Sequence, residues 1–183
     1  MAQNELRYLV IGAGHGGKAM AAHLALMGFE VSLYNRTPEH IEVIRARGGI
    51  SLDSYEGGPR GFQKLSLVTA DMQQALAQAD VVMVVVPASA HRDIAKSMAP
   101  YLEDRHMVIL NPGRTLGALE FRKTLVDNGS RAQAVIAETQ TFIYASRSDG
   151  PAQARIFRIK DAVPLAALPA IHTPRVLAAI SPA

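Results

Sequence analysis

Leu9-Val10-Ile11-Gly12-Ala13-Gly14-His15-Gly16-Gly17 is the stretch that decides how this chain folds. A short apolar run feeds directly into Gly-x-Gly-x-x-Gly, with Gly12, Gly14 and Gly17 in the three fixed places. Gly12 permits a tight strand-to-helix turn. Gly14 lacks a Cβ, so the backbone can come close to a pyrophosphate, and Gly17 lets the next helix pack tightly on the strand. A helix expected from Lys18 onward then offers unpaired N–H groups and a partial positive charge to the phosphates. Glycine-rich turns are common. The apolar run before this one and the Ala-rich segment after it supply the context that dinucleotide binding requires.

At 183 residues the chain is about one domain long and is expected to bury about 70% of its unfolded surface. With 49% hydrophobic and 19% charged residues it has the composition of a soluble globular protein. The lack of Cys excludes a disulfide framework, a thiolate nucleophile and a Cys-ligated metal. Met1-Ala2-Gln3-Asn4-Glu5 has neither the basic start nor the apolar stretch of a signal peptide, and no apolar run approaches transmembrane length. The cytoplasm is therefore the expected compartment, with no membrane partner. The net charge of +3 is spread along the chain, without a Lys/Arg-rich run and without Trp, so nucleic acid is not expected as a partner. Modest positive charge does suit an anionic dinucleotide.

Outward from the glycine turn, the sequence alternates strands and helices. Residues 6–11 read as a buried first strand, 18–27 as a helix stopped by Gly28, 30–34 as the second strand, and 38–47 as a helix opened by Pro38. A short strand is expected at 50–52, a glycine-rich loop at 55–61, a strand at 64–69 and a helix at 71–78. Val81-Val82-Met83-Val84-Val85-Val86 is a continuous apolar run, as in a central parallel strand covered on both faces. A helix over 89–102, a strand at 107–110, a helix at 116–126 and a sixth core strand at 134–138 follow. This rhythm predicts an α/β, Rossmann-type doubly wound, mostly parallel sheet with helices on both faces. From Asp149 the pattern changes. Residues 155–160 read as an edge strand, 161–169 as an apolar segment, and Thr173-Pro174 as the cap and start of a helix. The division expected is 1–148 for an NAD(P)-binding domain and 149–183 for a tail. That tail is expected to meet a second domain or another copy of the chain.

In an open α/β sheet, ligands bind beyond the carboxyl ends of the strands, near the point where strand order reverses. The unusual residues collect at those ends: Gly12, Ala13, Gly14, His15, Gly16 and Gly17, then Asn35-Arg36-Thr37, Val86-Pro87-Ala88, Asn111-Pro112-Gly113 and Glu138. After the second strand a site selective for NAD carries Asp or Glu, which accepts hydrogen bonds from the ribose hydroxyls. This chain has Asn35 and Arg36 there. A guanidinium can pair with a 2′-phosphate and stack on adenine, so NADP is the expected cofactor, with NAD also open. Thr37 adds a hydroxyl donor, which is compatible with its capping the helix that Pro38 begins. Pro87 either ends its strand or borders the nicotinamide. Asn111 either bonds to cofactor or substrate or shapes its own turn, and Glu138 either binds a ribose or amine or pairs with an Arg. His91, in the first turn of a helix on the rim, is a weaker candidate for a proton donor. The sequence shows no Ser/His/Asp constellation and no clustered metal ligands.

Gly12-Ala13-Gly14-His15-Gly16-Gly17-Lys18-Ala19, Val86-Pro87-Ala88, Asn111-Pro112-Gly113-Arg114, Ala137-Glu138-Thr139-Gln140-Thr141 and Tyr144-Ala145-Ser146-Arg147 together resemble the octopine/nopaline (opine) dehydrogenase family. The resemblance runs through nearly the whole chain. It implies NAD(P)H-dependent condensation of an amino acid with a 2-oxo acid such as pyruvate, followed by reduction of the imine. It also implies an N-terminal Rossmann domain followed by a helical domain carrying a catalytic His–Asp pair, a domain this sequence is expected to lack. No catalytic residue is assigned within the chain on this reading. The alternatives are another NADP-dependent reductase, of the ketopantoate-reductase or hydroxyacid-dehydrogenase kind, and a stand-alone NADP-binding regulatory module.

Overall fold

The structure, a computed structural model, describes residues 6–55 and 58–181. In chain order, β1 (Arg7–Ile11) leads into α1 (His15–Leu26), followed by β2 (Glu30–Tyr34), a single 3-10 turn and α2 (Glu42–Arg47). Next come β3 (Gly49–Ser54), β4 (Gly61–Lys64), β5 (Leu67–Thr69), α3 (Met72–Ala77), β6 (Val81–Val84) and α4 (His91–Met98). The chain continues through β7 (Met107–Leu110), α5 (Gly117–Asp127), β8 (Val135–Thr139), β9 (Tyr144–Gly150), β10 (Gln153–Ile159), β11 (Leu165–Leu168) and α6 (Thr173–Ile180).

These strands form two sheets. The larger has the order β11-β8-β7-β6-β1-β2-β5 and is parallel apart from the edge strand β11. Strand order reverses at β1, which has β2 on one side and β6 on the other. The crevice that a doubly wound sheet offers to ligands therefore opens at the glycine turn. Leu9, Ile11, Val82, Val84, Val108 and Leu110 face one side, packed on Leu76 of α3, Ile94 and Met98 of α4, and Phe121 and Leu125 of α5. Tyr8, Val10, Met83 and Ile109 face the other. Burial on both faces is why the central strands read as unbroken apolar runs. The α/β doubly wound expectation is borne out.

The smaller sheet, β4-β3-β10-β9, lies on the far side of α1. Ile50 and Leu52 of β3 and Ala154 and Ile156 of β10 share one core with Ala21, Ala22 and Ala25 of α1 and Val10 of β1. A helix pressed between two sheets has little side left for water, and most of α1 is buried and apolar. Its alanines let both sheets come close, and that explains the Ala-rich composition.

Several boundaries differ from those read in the sequence. Helix α1 starts at His15 rather than Lys18, so Gly16 and Gly17 lie within its first turn. The short strand at 50–52 is longer and belongs to the second sheet, and residues 61–64 form its edge strand. Of the glycine-rich loop, Glu56 and Gly57 lie outside the described residues. Strand β10 is interior, parallel to β3 and antiparallel to β9, instead of an edge. Neither face nor neighbour of this long-range β3–β10 pair is encoded locally. Strand β9 runs through residues 148 and 149, where the sequence reading put its boundary. Thr173 is the first residue of α6, and its Oγ1 accepts a hydrogen bond from Ala167 N at 3.0 Å. Much of the tail packs on the main core through Leu165, Val176 and Ile180, while Ile171 and Leu177 are exposed. No helix among the described residues is long and apolar enough to cross a membrane.

Three histidines lie against this framework. His106 is fully buried: Glu103 N donates to its Nδ1 at 2.9 Å, which leaves Nε2 to donate to Leu76 O at 3.1 Å. Burial holds its pKa below the ordinary 6.5, and burial also lowers those of His23 and His91. A histidine depressed in the folded state takes up its proton more readily when unfolded. Its contribution is therefore whole above the unfolded value and is lost as pH falls through that value toward the folded one. The urea midpoint is expected to drop when pH is lowered from about 7.5 to about 5.5. A midpoint that holds or rises over that interval contradicts this reading of the buried imidazoles.

Candidate nucleotide-binding site

The glycine turn is shaped by contacts that leave part of it unclaimed. Gly12 has a φ of 110° and its N–H donates to Tyr34 O at 2.8 Å, fixing β1 to the end of β2. A Cβ on Gly17 would lie 1.7 Å from Gly12 O, so the helix could not approach the strand so closely with any other residue. Gly14 is different: a Cβ there would meet nothing within 4 Å. No side chain among the described residues caps α1, and Lys18 N is the first amide of its opening turn to bond a backbone carbonyl, Gly14 O at 3.1 Å. The space above Gly14 and the amides of His15, Gly16 and Gly17 fit a pyrophosphate. The helix dipole adds to this attraction.

Asn35 serves as a clasp on this turn. Its Oδ1 accepts from Ala13 N at 3.0 Å and its Nδ2 donates to Thr37 O at 3.0 Å. Arg36 reaches across to Asp93, Nη1 to Oδ2 at 3.2 Å, with both side chains largely exposed. Thr37 precedes the 3-10 turn Pro38–His40 and makes no side-chain cap bond to it. Gly12, Asn35, Arg36, Thr37, Val86 and Pro87 line one cleft of about 210 Å³, together with Tyr34, His40, Ala90 and Ile94. Ala88 opens the 3-10 turn that follows Pro87.

Asn111 and Glu138 are placed elsewhere. Asn111 is buried, its Nδ2 donates to Ile109 O at 2.9 Å, and it lines a separate cavity with Met83, Thr139, Tyr144 and Lys160. Glu138 Oε2 accepts from Ala118 N at 2.7 Å, which satisfies an amide in the first turn of α5. Gly113 makes room for it, since a Cβ there would come within 2.3 Å of the Glu138 side chain. Helix capping is neither of the two roles left open for Glu138; it is a third, and the one its contacts show.

The histidines also separate. His15 Nδ1 accepts from Ser148 N at 2.9 Å, so the proton of its neutral ring sits on Nε2. His91 is only 1% exposed and its Nε2 has no partner among the described residues. Its ring meets Phe121 edge-on at 6.4 Å, and burial lowers its pKa although Glu120 and Glu138 pull the other way. Buried under the rim, it is not placed to hand a proton to a ligand in the Arg36 cleft.

Sequence reasoning missed two participants. Lys18 is buried, its Nζ donating to Gly150 O at 3.1 Å and Pro151 O at 3.3 Å, and burial lowers its pKa. With the His15–Ser148 bond it ties the β9–β10 hairpin to the first turn of α1. Asp93 was missed because its partner Arg36 is 57 residues away. A buried Lys inside an Ala-rich helix was a readable signal, whereas Asp93 left none.

Comparison with known proteins agrees with this geometry. The family model described as NAD-dependent glycerol-3-phosphate dehydrogenase N-terminus matches residues 8–138. A protein of Arthrobacter sp. (strain 1C) named opine dehydrogenase is 41% identical over 163 residues, 89% of this chain and 45% of that protein. Octopine dehydrogenase solved with NADH and L-arginine superposes with a TM-score of 0.77 at 22% identity, covering 88% of this chain and 42% of that one. Yersinopine dehydrogenase with NADP+ bound gives a TM-score of 0.75 at 17% identity, covering 96% and 46%. The two structures establish a shared fold, and the Arthrobacter protein bears out the resemblance read from the sequence. The chain spans about half the length of these relatives. It belongs to the family of NAD-dependent glycerol-3-phosphate dehydrogenase N-terminal domains.

Proposed function

We propose that this chain is the cofactor-binding portion of an opine-dehydrogenase-like oxidoreductase, with NADP preferred and NAD accepted. The whole enzyme would join an amino acid to a 2-oxo acid and reduce the resulting imine to a secondary amine. The observation that carries the reading is the glycine turn, with free space over Gly14 and amides at His15, Gly16 and Gly17 that find no partner among the described residues. The 41% identity to the Arthrobacter opine dehydrogenase favours this substrate class over ketopantoate or a hydroxy acid.

Each residue then has a defined task. The α1 amides hold the pyrophosphate, and Asn35 keeps the turn in shape by fixing Ala13 N. Arg36 pairs with a 2′-phosphate and covers the adenine, while Val86 and Pro87 wall the cleft. When bound, the dinucleotide supplies the hydride that reduces the imine carbon. A proton for the imine nitrogen must come from an acid beside the substrate. His91 is buried and Glu138 is committed to α5, so neither is assigned that role. We assign that acid, and the substrate cage, to a part of the enzyme beyond this chain.

Gly14 has φ −75° and ψ −169°, extended backbone that a branched residue adopts freely. Gly14→Val is therefore expected to keep the fold and lower nucleotide affinity by about 100-fold or more, read by calorimetry beside thermal melting. Wild-type affinity in a folded variant would contradict the assignment of the turn. Arg36→Asp is expected to weaken NADPH by about tenfold or more while sparing NADH. Equal losses for both nucleotides would remove the case for NADP. Residues 1–183 are expected to bind NADPH yet show no oxidation of it with pyruvate and amino acids, because acid–base help alone is worth about 10² to 10⁴-fold and substrate positioning more. Turnover matching that of a longer form, extended to the length of the relatives, would overturn the division of labour.

A further inference from the structure

The cleft beside the glycine turn has two walls drawn from distant parts of the chain. One is the end of β2, with Asn35, Arg36 and Thr37; the other is the start of α4, with Ala90 and Ile94 on either side of Asp93. The Arg36–Asp93 ion pair joins these walls, Nη1 to Oδ2 at 3.2 Å. The two side chains are 69% and 57% exposed, so water screens the pair and it opens at little cost. The chain has Asn at the end of β2, where an NAD-selective site carries a carboxylate. Asp93 delivers a carboxylate from α4 to the guanidinium of the very next residue.

We propose that Asp93 sets the balance between the two cofactors by contending with the 2′-phosphate for Arg36; this rests on the cofactor reading above. A 2′-phosphate that pairs with Arg36 must displace the Asp93 carboxylate and then sit beside its negative charge. A 2′-hydroxyl carries no charge and meets neither obstacle. Asp93 thus holds down the affinity for NADPH, leaves that for NADH nearly untouched, and keeps the site open to both. Its place in the first turn of α4, where a carboxylate also suits the helix dipole, accounts for stability but makes no distinction between nucleotides.

Calorimetric titration of the chain with NADPH, NADH, 2′,5′-ADP and 5′-AMP tests this, using wild type, Asp93→Asn, Asp93→Glu, Arg36→Gln and the Arg36→Gln/Asp93→Asn double variant at one salt concentration. Asp93→Asn is expected to tighten NADPH and 2′,5′-ADP about three- to tenfold and to change NADH and 5′-AMP less than about twofold. Asp93→Glu retains the charge and is expected to stay near wild type. In the Arg36→Gln background the gain is expected to shrink to less than about twofold, because the residue contended for is gone. A wild-type NADPH-to-NADH ratio in Asp93→Asn, or the same gain with and without Arg36, overturns the role of Asp93 and leaves the cofactor reading standing. A folded wild-type chain that binds none of the four ligands overturns both.

Discussion

The burial of α1 between two sheets is the constraint on which the rest of this structure depends. A helix covered on both sides must be mostly apolar, must be built largely of small side chains, and cannot shift without disturbing two cores at once. Its more exposed first turn is held by side-chain bonds in addition. Lys18 strengthens that hold from within, because a buried ammonium keeps its place only while Gly150 and Pro151 supply carbonyl oxygens. His15, bonded by Ser148, adds a second tie to the same hairpin. The second sheet, which looks peripheral in a doubly wound fold, acts here as a clamp on the turn where phosphates are expected.

Asn35 follows β2 directly. The position after β2 is where a dehydrogenase distinguishes its cofactors, yet here the side chain is spent on shaping the turn by bonding Ala13 N and Thr37 O. A carboxylate could accept from Ala13 N but could not donate to Thr37 O. The amide thus satisfies two local partners of opposite kind, and under the proposed function discrimination would fall to Arg36 and the groups around it. The turn, the clasp and the selector are three adjacent demands on one short loop.

Much of this was legible from residues alone. The glycine spacing, the valine run at 81–86 and the alternation of strands and helices determine the main sheet through local pattern and turn chemistry, and the strand ends carry the rim. The second sheet was not legible, because pairing β3 with β10 joins residues about a hundred positions apart and single short strands do not announce their partners. The helix start at His15 was missed for a related reason. Consecutive glycines carry poor helix propensity, and only the close approach of Gly17 to Gly12 O shows why the helix tolerates them. Asn111 and Glu138 were read as rim residues from their positions at strand ends. Side-chain direction sent the first toward another cavity and the second to the start of α5, and direction at a strand end depends on the loop that follows.

The opening turn of α1 is proposed to receive the pyrophosphate of a dinucleotide. This is tested most directly by following the backbone amide resonances of the ¹⁵N-labelled chain during titration with NADPH. The account predicts that Gly14, His15, Gly16 and Gly17 shift most, with Arg36 and Thr37 next. Shifts confined to the cavity around Asn111 and Lys160, or no shifts at saturating nucleotide, would contradict it.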